Sequence, residues 1–392
     1  MANEIPWQVE MIRRGPDRPV TAYFRLLSPA GECVGAFAHR LKNRVTFHEF
    51  MSGADIAAVE VDTGDPDALI SARVRRCNWR NGLRRDLSRL LDRLRRPTPA
   101  LPDTARIAPF KPEGVATSSA SPLVSIIIPT RDRTGLLAAA VETLFEKSNW
   151  PQLELVIVDN GSVEPESFAF FDRLRAMANV SIIRQDEPFN FARLINAGAR
   201  AAQGEVLALL NNDVEARSPD WLEPLVRLAI DPRVGAVGAK LLYENGTIQH
   251  AGIMLGIRGL TSHAGVGRPA DDPGPYAMLT TTRRVSAVTG ACLLTRRDVF
   301  EELGGLDENF VIEFNDVDYC LRAGAKGYAV IYAAEPMLLH KEGATRQARP
   351  LREQEVQDRS LFMRRWGRAL VDDPYYPPDL TLCDESLSPA EG

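Results

Sequence analysis

LVSIIIPTRDRTGLLAAAVETLFEKSNWPQLELVIVDNGS, residues 123–162, decides the fold. Two near-continuous apolar runs, LVSIII (123–128) and LELVIV (153–158), flank a segment near 134–148 with helical periodicity. Each run ends abruptly in polar residues: Pro129-Thr130-Arg131-Asp132-Arg133 after the first, Asp159-Asn160-Gly161-Ser162 after the second. Strands apolar on both faces and separated by helices predict a parallel sheet covered on both sides.

The alternation continues downstream. A helical segment near 166–178 leads to VSIIR (180–184), another near 191–202 to EVLALL (205–210), and a third near 219–230 to VGAVGA (234–239). The fold class is therefore α/β with a mostly parallel sheet, and such sheets bind ligands beyond the carboxyl ends of their strands. Two further polar clusters stand out for that reason, Asn211-Asn212-Asp213-Val214-Glu215 after the fourth strand and Glu313-Phe314-Asn315-Asp316-Val317-Asp318 further on. Singly, each has an ordinary explanation: a turn, a helix cap, or acids at the positive end of a helix. Their repeated placement at strand ends points instead to one shared cleft.

Upstream, residues 97–122 are rich in Pro, Ser, Thr and Ala and read as a linker. Residues 71–96 differ sharply, because the stretch 72–96 holds ten arginines, two acids and leucines at helical spacing. A basic amphipathic helix is expected there, packed on the neighbouring domain or lying on an anionic membrane surface. Residues 1–70 carry short β-like runs separated by turn signals and read as a small β-rich accessory domain. The tail, 347–392, is expected to contain a helix near 351–366.

Bulk properties set limits. A chain of 392 residues, 45% hydrophobic and 25% charged, suits a globular enzyme of more than one domain. A net charge of −5 argues against general nucleic-acid binding. Five scattered cysteines without a CxxC pair fit a reducing compartment. No signal-peptide pattern and no bilayer-length apolar run appears, so the expected location is cytoplasmic, with the inner face of the plasma membrane as the peripheral alternative.

The ordered series VSIIIPTRDR, LELVIVDNGS, FNFARLINAGARAAQGEVLALLNNDVE, VGAVGAKLLYENGTIQHAGI, VSAVTGACLLTRRDVFEELGGLDENF, NDVDYCLR and LLHKEGATR resembles family 2 glycosyltransferases of the GT-A fold. The resemblance covers residues 123–346 and is strongest to bacterial members that build O-antigen and other surface polysaccharides, including rhamnosyltransferase-like ones. It implies a Rossmann-like nucleotide-sugar-binding domain that transfers one sugar, with inversion, from a nucleoside-diphosphate sugar to a hydroxyl of a glycan or lipid-linked glycan. Asp159 would accept a nucleobase N–H, with Thr130 and Asp132 flanking the same pocket. Asn190, Arg193 and Asn196 share a helix start, where Arg193 and Asn196 lie three apart and can face one ligand; they are expected on the diphosphate side of the donor.

Asn211-Asn212-Asp213 stands where the family carries its Asp-x-Asp metal motif. An amide replaces the first carboxylate, leaving anionic ligation to Asp213, with Asn212 beside the donor. His340 matches the histidine that completes the metal site. The implied cofactor is Mn²⁺ or Mg²⁺, and imidazole favours Mn²⁺. Asp316 matches the general base, with Asn315 where a glutamate is usual. Gly290 and Asn315 fall on the acceptor side, and Cys292 reads as a small buried side chain. His250 and His263 lie in a Gly-rich insert (246–276) that could fold over the acceptor. In the tail, Arg364-Arg365-Trp366 only brushes the motif of processive synthases, because Phe362 stands in place of glutamine. The altered Asn211 and Asn315 keep a non-catalytic glycan-binding protein open as an alternative. A sugar-1-phosphate nucleotidyltransferase is disfavoured by the absence of a Gly-rich phosphate loop.

Overall fold

The computed structural model describes residues 5–14, 20–27, 33–41, 45–52, 58–62, 69–76, 104–112, 121–341, 353–382 and 384–389. The amino-terminal part forms strands β1 (Ile5–Arg14), β2 (Val20–Leu27), β3 (Cys33–Leu41), β4 (Val45–Ser52), β5 (Ala58–Asp62) and β6 (Leu69–Arg76). They pair antiparallel in two three-stranded sheets, β4-β1-β6 and β3-β2-β5. Strand β6 corrects the expected start of the basic helix. Ile70, Ala72 and Val74 alternate with Ser71, Arg73 and Arg75, a period of two that suits a strand. The rest of that stretch, 77–96, lies outside the described residues.

Part of the expected linker docks on the larger, carboxyl-terminal part of the chain. Ile107 is buried, Phe110 N–H donates to Thr282 O at 2.9 Å, and Arg106 binds the Asp372 carboxylate at 2.9 Å and Asp373 O at 2.7 Å.

The sheet of the larger domain begins with β7 (Val124–Thr130), α1 (Thr134–Val141), β8 (Leu153–Asp159), α2 (Pro165–Arg175), β9 (Val180–Arg184), α3 (Phe191–Ala201) and β10 (Val206–Leu210). Strands β10, β7, β8 and β9 are neighbours in that order and all parallel. Odd and even residues supply different cores: Ile127, Val156 and Val158 face one, and Ile126, Ile128, Leu155 and Ile157 the other. Helix α3 lies hard against the sheet at Gly198, where an added Cβ would meet Ile127 Cγ2 at 2.4 Å.

Beyond β10 come β11 (Val214–Ala216), α4 (Glu223–Ala229), β12 (Val234–Leu242), β13 (Ile248–His250), β14 (Ile253–Leu255), β15 (Thr261–His263), β16 (Arg283–Arg284), β17 (Cys292–Arg296), α5 (Arg297–Glu302), α6 (Asn315–Ala325), β18 (Ala329–His340) and α7 (Glu353–Trp366). The full path is β11-β18-β12-β17-β10-β7-β8-β9. Strand β17 runs antiparallel between β10 and β12, while β12 and β18 are parallel.

That one reversed strand positions the site. Cys292, the first residue of β17, pairs with Leu210, the last of β10, so Gly290-Ala291 meets Asn211 at the carboxyl edge. Val214 pairs with His340, which brings the last residue of β18 beside Asp213.

Candidate active site

The residues expected on the nucleobase side meet at the ends of β7 and β8. Thr130 and Asp159 are buried, and Asn160 N–H donates to Thr130 O at 2.8 Å. Asn212 Nδ2 donates to Thr130 Oγ1 at 3.0 Å, tying the Asn-Asn-Asp turn to this pocket. Asp159 Oδ1 accepts from Ser162 N–H at 2.9 Å, and Oδ2 receives the Arg184 guanidinium at 2.9 Å. Arg184, at the end of β9, also reaches Asp186 Oδ1 at 2.8 Å, and sequence reasoning missed it. Its position one residue after Ile183 on the third parallel strand is the signal that could have found it.

Asp132 faces another task. Its backbone is left-handed (φ 52°), and Oδ1 accepts the N–H groups of Val163 and Glu164 at 2.8 and 2.9 Å, just ahead of α2. Burial opposes ionisation there, but the Glu164 and Val163 N–H groups and the Arg131 charge outweigh it and hold the carboxyl below its ordinary value.

On α3, Asn190 caps the helix by accepting from Arg193 N–H at 3.0 Å, and its Nδ2 donates to Glu308 O at 2.8 Å. Asn196 exchanges two bonds of 2.9 Å with the backbone of Leu306 and donates to Glu308 Oε1 at 3.1 Å. Arg193 Nε pairs with Glu308 Oε2 at 3.3 Å. The two amides latch α3 to the 306–308 loop, and the guanidinium, 37% exposed, is the group of the three most open to a ligand.

Asp213 and His340, the residues expected to hold a metal, lie side by side. Asp213 Oδ1 lies 3.1 Å from His340 Nε2, with both side chains largely buried. The two atoms are close enough for an ion pair, yet Asp213 Oδ1 accepts no hydrogen bond. The reason is on the other side of the ring. His340 Nδ1 is 2.6 Å from Gln249 Oε1, and Asn211 Nδ2 faces Nε2 at 3.3 Å. A carbonyl oxygen at Nδ1 requires the proton there, leaving the Nε2 lone pair beside a carboxylate oxygen. Two acceptors at that distance call for a cation, and an orphaned carboxylate oxygen with a neutral imidazole suits Mn²⁺. Among the described residues no group of three or more His, Cys, Asp and Glu side chains is placed to hold a metal. The remaining donors would be diphosphate oxygens and water.

Asp316 sits in the first turn of α6 and is half-buried. Gly290 N–H donates to its Oδ2 at 2.7 Å and Val317 N–H to its Oδ1 at 2.8 Å. Gly290 packs close to both neighbours: a Cβ there would lie 3.4 Å from Asp316 Cβ and from Phe191 Cε1, at ordinary contact distance. Asn315 is buried, with Nδ2 3.5 Å from Ile312 O. Asp318 is fully buried between Arg322, Arg365 and Trp366. Hydrogen bonds connect the whole row: Asn211 N–H donates to Ala291 O at 3.2 Å, next to the Gly290 that holds Asp316.

His250 and His263 lie behind the His340 side of this row. Their rings meet edge to face at 4.8 Å, and Gln249, between them and His340, accepts from His263 through its backbone oxygen at 3.2 Å. Burial, then the neighbouring His263 and His340, drives the His250 pKa well below its usual value. Burial pushes the Cys292 thiol up to about 12, which removes it as a nucleophile.

This arrangement, a Rossmann-like parallel block joined through one reversed strand to a second block with the polar residues at their common edge, defines the GT-A fold. Residues 125–304 match the family model "Glycosyl transferase family 2". The chain therefore carries a family 2 glycosyltransferase domain. It is 40% identical over 264 residues to the O-antigen biosynthesis protein RfbC of Myxococcus xanthus, covering 67% of this chain and 20% of RfbC. It is 39% identical over 279 residues to the uncharacterised protein y4gI of Sinorhizobium fredii, covering 70% of this chain and 31% of y4gI. The chain thus spans a third or less of the length of these two relatives. Among solved structures, the mannosyltransferase PcManGT from Pyrobaculum calidifontis, in complex with GDP-Man and Mn²⁺, aligns with a TM-score of 0.44 at 20% identity over 66% of this chain and 64% of that one.

Proposed function

We propose that this domain transfers a single sugar, with inversion, from a nucleoside-diphosphate sugar to a hydroxyl of a growing surface glycan. The observation that carries the reading is a row of contacts along one sheet edge: Gly290 N–H holds Asp316 at 2.7 Å, Asn211 N–H donates to Ala291 O at 3.2 Å, and Asn211 Nδ2 lies 3.3 Å from His340 Nε2, beside Asp213. Asp159, Thr130 and Arg184 receive the nucleobase end of the donor, and Arg193 stands toward its diphosphate. The acceptor oxygen attacks the anomeric carbon and gives its proton to the Asp316 carboxylate. The bond from that carbon to the diphosphate breaks on the opposite face, which is why the configuration inverts. A divalent cation between Asp213 and His340 would offset the negative charge of the departing diphosphate. The surface-glycan acceptor is supported by likeness to a protein named for O-antigen biosynthesis. A lipid-linked acceptor at the cytoplasmic membrane face accords with the ten arginines of residues 72–96.

A thermal-shift screen of UDP-, GDP- and dTDP-sugars with and without Mn²⁺ identifies the donor, and release of its nucleoside diphosphate then measures turnover. Asp316→Asn is expected to lose the roughly 10²–10⁴-fold that a positioned base supplies while still binding donor. Wild-type turnover by that variant would remove Asp316 from the reaction.

A further inference from the structure

We infer that helix α7 is the positioning element for the catalytic segment, with Asp358 its central residue; this rests on the reading of Asp316 as the base. Asp358 is fully buried, and its carboxylate accepts three consecutive backbone N–H groups: Val311 at 3.2 Å, Ile312 at 2.7 Å and Glu313 at 2.9 Å. Those residues end just before Asp316. On its other side, Asp318 Oδ1 receives Arg365 Nη1 and Trp366 Nε1, each at 2.8 Å. The base is bracketed.

The bracket is a single helix face. Positions 358, 359, 362, 365 and 366 recur at helical spacing, and each side chain meets the segment 307–318. Arg359 pairs with Glu313 at 2.8 Å, Phe362 stacks on Phe314 with centroids 4.4 Å apart, and Arg365 adds Asp307 at 2.6 Å. Phe314 adopts a left-handed backbone (φ 64°, ψ 4°) immediately before α6. A non-glycine residue holds that conformation only where its surroundings over-determine it, and α7 supplies those surroundings. From the opposite side, Phe191 N–H at the start of α3 donates to Val311 O at 3.0 Å. The segment is thus fixed between the donor-side helix and α7, and Asp316 inherits its place from both. Helix α7 lies beyond residues 125–304, which match the family model, so this support comes from a part of the chain outside the matched domain.

The test measures nucleoside diphosphate release, with water as acceptor, from whichever UDP-, GDP- or dTDP-sugar raises the melting temperature in the presence of Mn²⁺. Misplacing a catalytic group by about 1 Å can cost about a hundredfold. Asp358→Asn should therefore lower kcat by about ten- to a hundredfold while leaving donor KM nearly unchanged, and amide exchange at residues 311–313 should accelerate. Trp366→Phe, which removes one N–H from Asp318 and keeps the ring, should give a smaller kcat loss with the same unchanged KM. The double variant Asp316→Asn/Asp358→Asn should be no slower than Asp316→Asn alone, because both changes act through one group. Asp358→Asn at wild-type kcat, or a rise in KM with kcat intact, would overturn the inference. Should Asp358→Asn fail to fold, Trp366→Phe and Arg365→Gln decide it, and wild-type kcat in both is the overturning result. Failure of the base reading is distinguishable, since it shows as wild-type turnover in Asp316→Asn itself.

Discussion

The two halves of the cleft are built differently. On the side proposed for the donor, Thr130 and Asp159 end adjacent parallel strands, and Asn160 N–H bonds directly to Thr130 O at 2.8 Å. On the other side, Asp316 starts a helix, and what fixes it comes from Gly290, 26 residues away, and from α7, whose Asp358 holds residues 45–47 positions earlier in the chain. Binding a nucleotide can rely on strand ends that the sheet itself aligns. Aiming a proton acceptor at one hydroxyl calls for closer placement, and here that placement is assembled from contacts distant in sequence.

The contrast breaks most visibly at Asp213. If the donor side binds and the opposite side reacts, Asp213→Ala and Asp316→Asn should fail in opposite ways. Asp213→Ala removes the carboxylate beside His340 Nε2, 3.1 Å away, so Mn²⁺-dependent binding of the nucleoside diphosphate selected by the thermal-shift screen should fall by more than the ~10–100-fold that a supporting residue costs. Asp316→Asn should bind Mn²⁺ and that nucleotide as the wild type does. Isothermal titration of the nucleotide with and without Mn²⁺ checks both, and equal losses in the two variants would erase the division of labour.

A smaller effect is expected one residue behind. Gln249 Oε1 at 2.6 Å from His340 Nδ1 fixes which ring nitrogen carries the proton, and Gln249 is itself buried. Gln249→Leu removes that acceptor and should weaken Mn²⁺ binding by about 10–100-fold, while Gln249→Glu retains an acceptor at the same place and should restore it. Electron paramagnetic resonance titration of Mn²⁺ reads this without substrate. Leucine binding the ion as tightly as glutamine would mean that the ring orients itself.

How much of this was legible follows the same divide. Apolar runs announced β7, β8, β10 and β12, because a strand covered on both faces leaves an unbroken hydrophobic signature, while the partly buried edge strand β9 left only the short run VSIIR. Thr130, Asp159 and the Asn211–Asp213 turn at strand ends were visible with them, whereas Arg184 at the end of β9 was not. The 313–318 cluster was visible too, but the roles of Gly290 and Asp316 came only through family resemblance, since no local pattern places a glycine N–H on a distant carboxylate. Asn190 and Asn196 look like ligand groups in sequence, yet their amides serve the 306–308 loop, a contact with no periodicity to betray it. Gln249 lies in a three-residue strand too short for any pattern, and Asp358 is one acid among several on an amphipathic helix. The strand Leu69–Arg76 was masked by its arginines, which drew the eye to helical charge rather than to alternation.

The smallest effect separates the two halves by pH. His250 is buried and neutral, its pKa depressed first by burial and then by His263 and His340. The unfolded chain takes up a proton near the ordinary value of about 6.5, which the folded protein resists. Its contribution to stability is therefore complete above that value and declines as pH falls from there toward the depressed folded value. The α7 side behaves otherwise. At Asp307 burial opposes ionisation, but the Asn309 N–H and the Arg365 contacts outweigh it and lower the pKa below 3.8. That depression contributes stability above about 3.8 and loses it only as pH drops through the folded value. Between pH 7 and 5 the melting temperature should thus fall through the His250 side alone of these two. His250→Asn should melt lower than wild type at pH 7 yet show a flatter slope across that interval, whereas Asp307→Asn should leave the slope as it was. An unchanged slope in His250→Asn would place the acid sensitivity elsewhere and remove pH as a way of telling the Asp213–His340 edge from the Asp316 side.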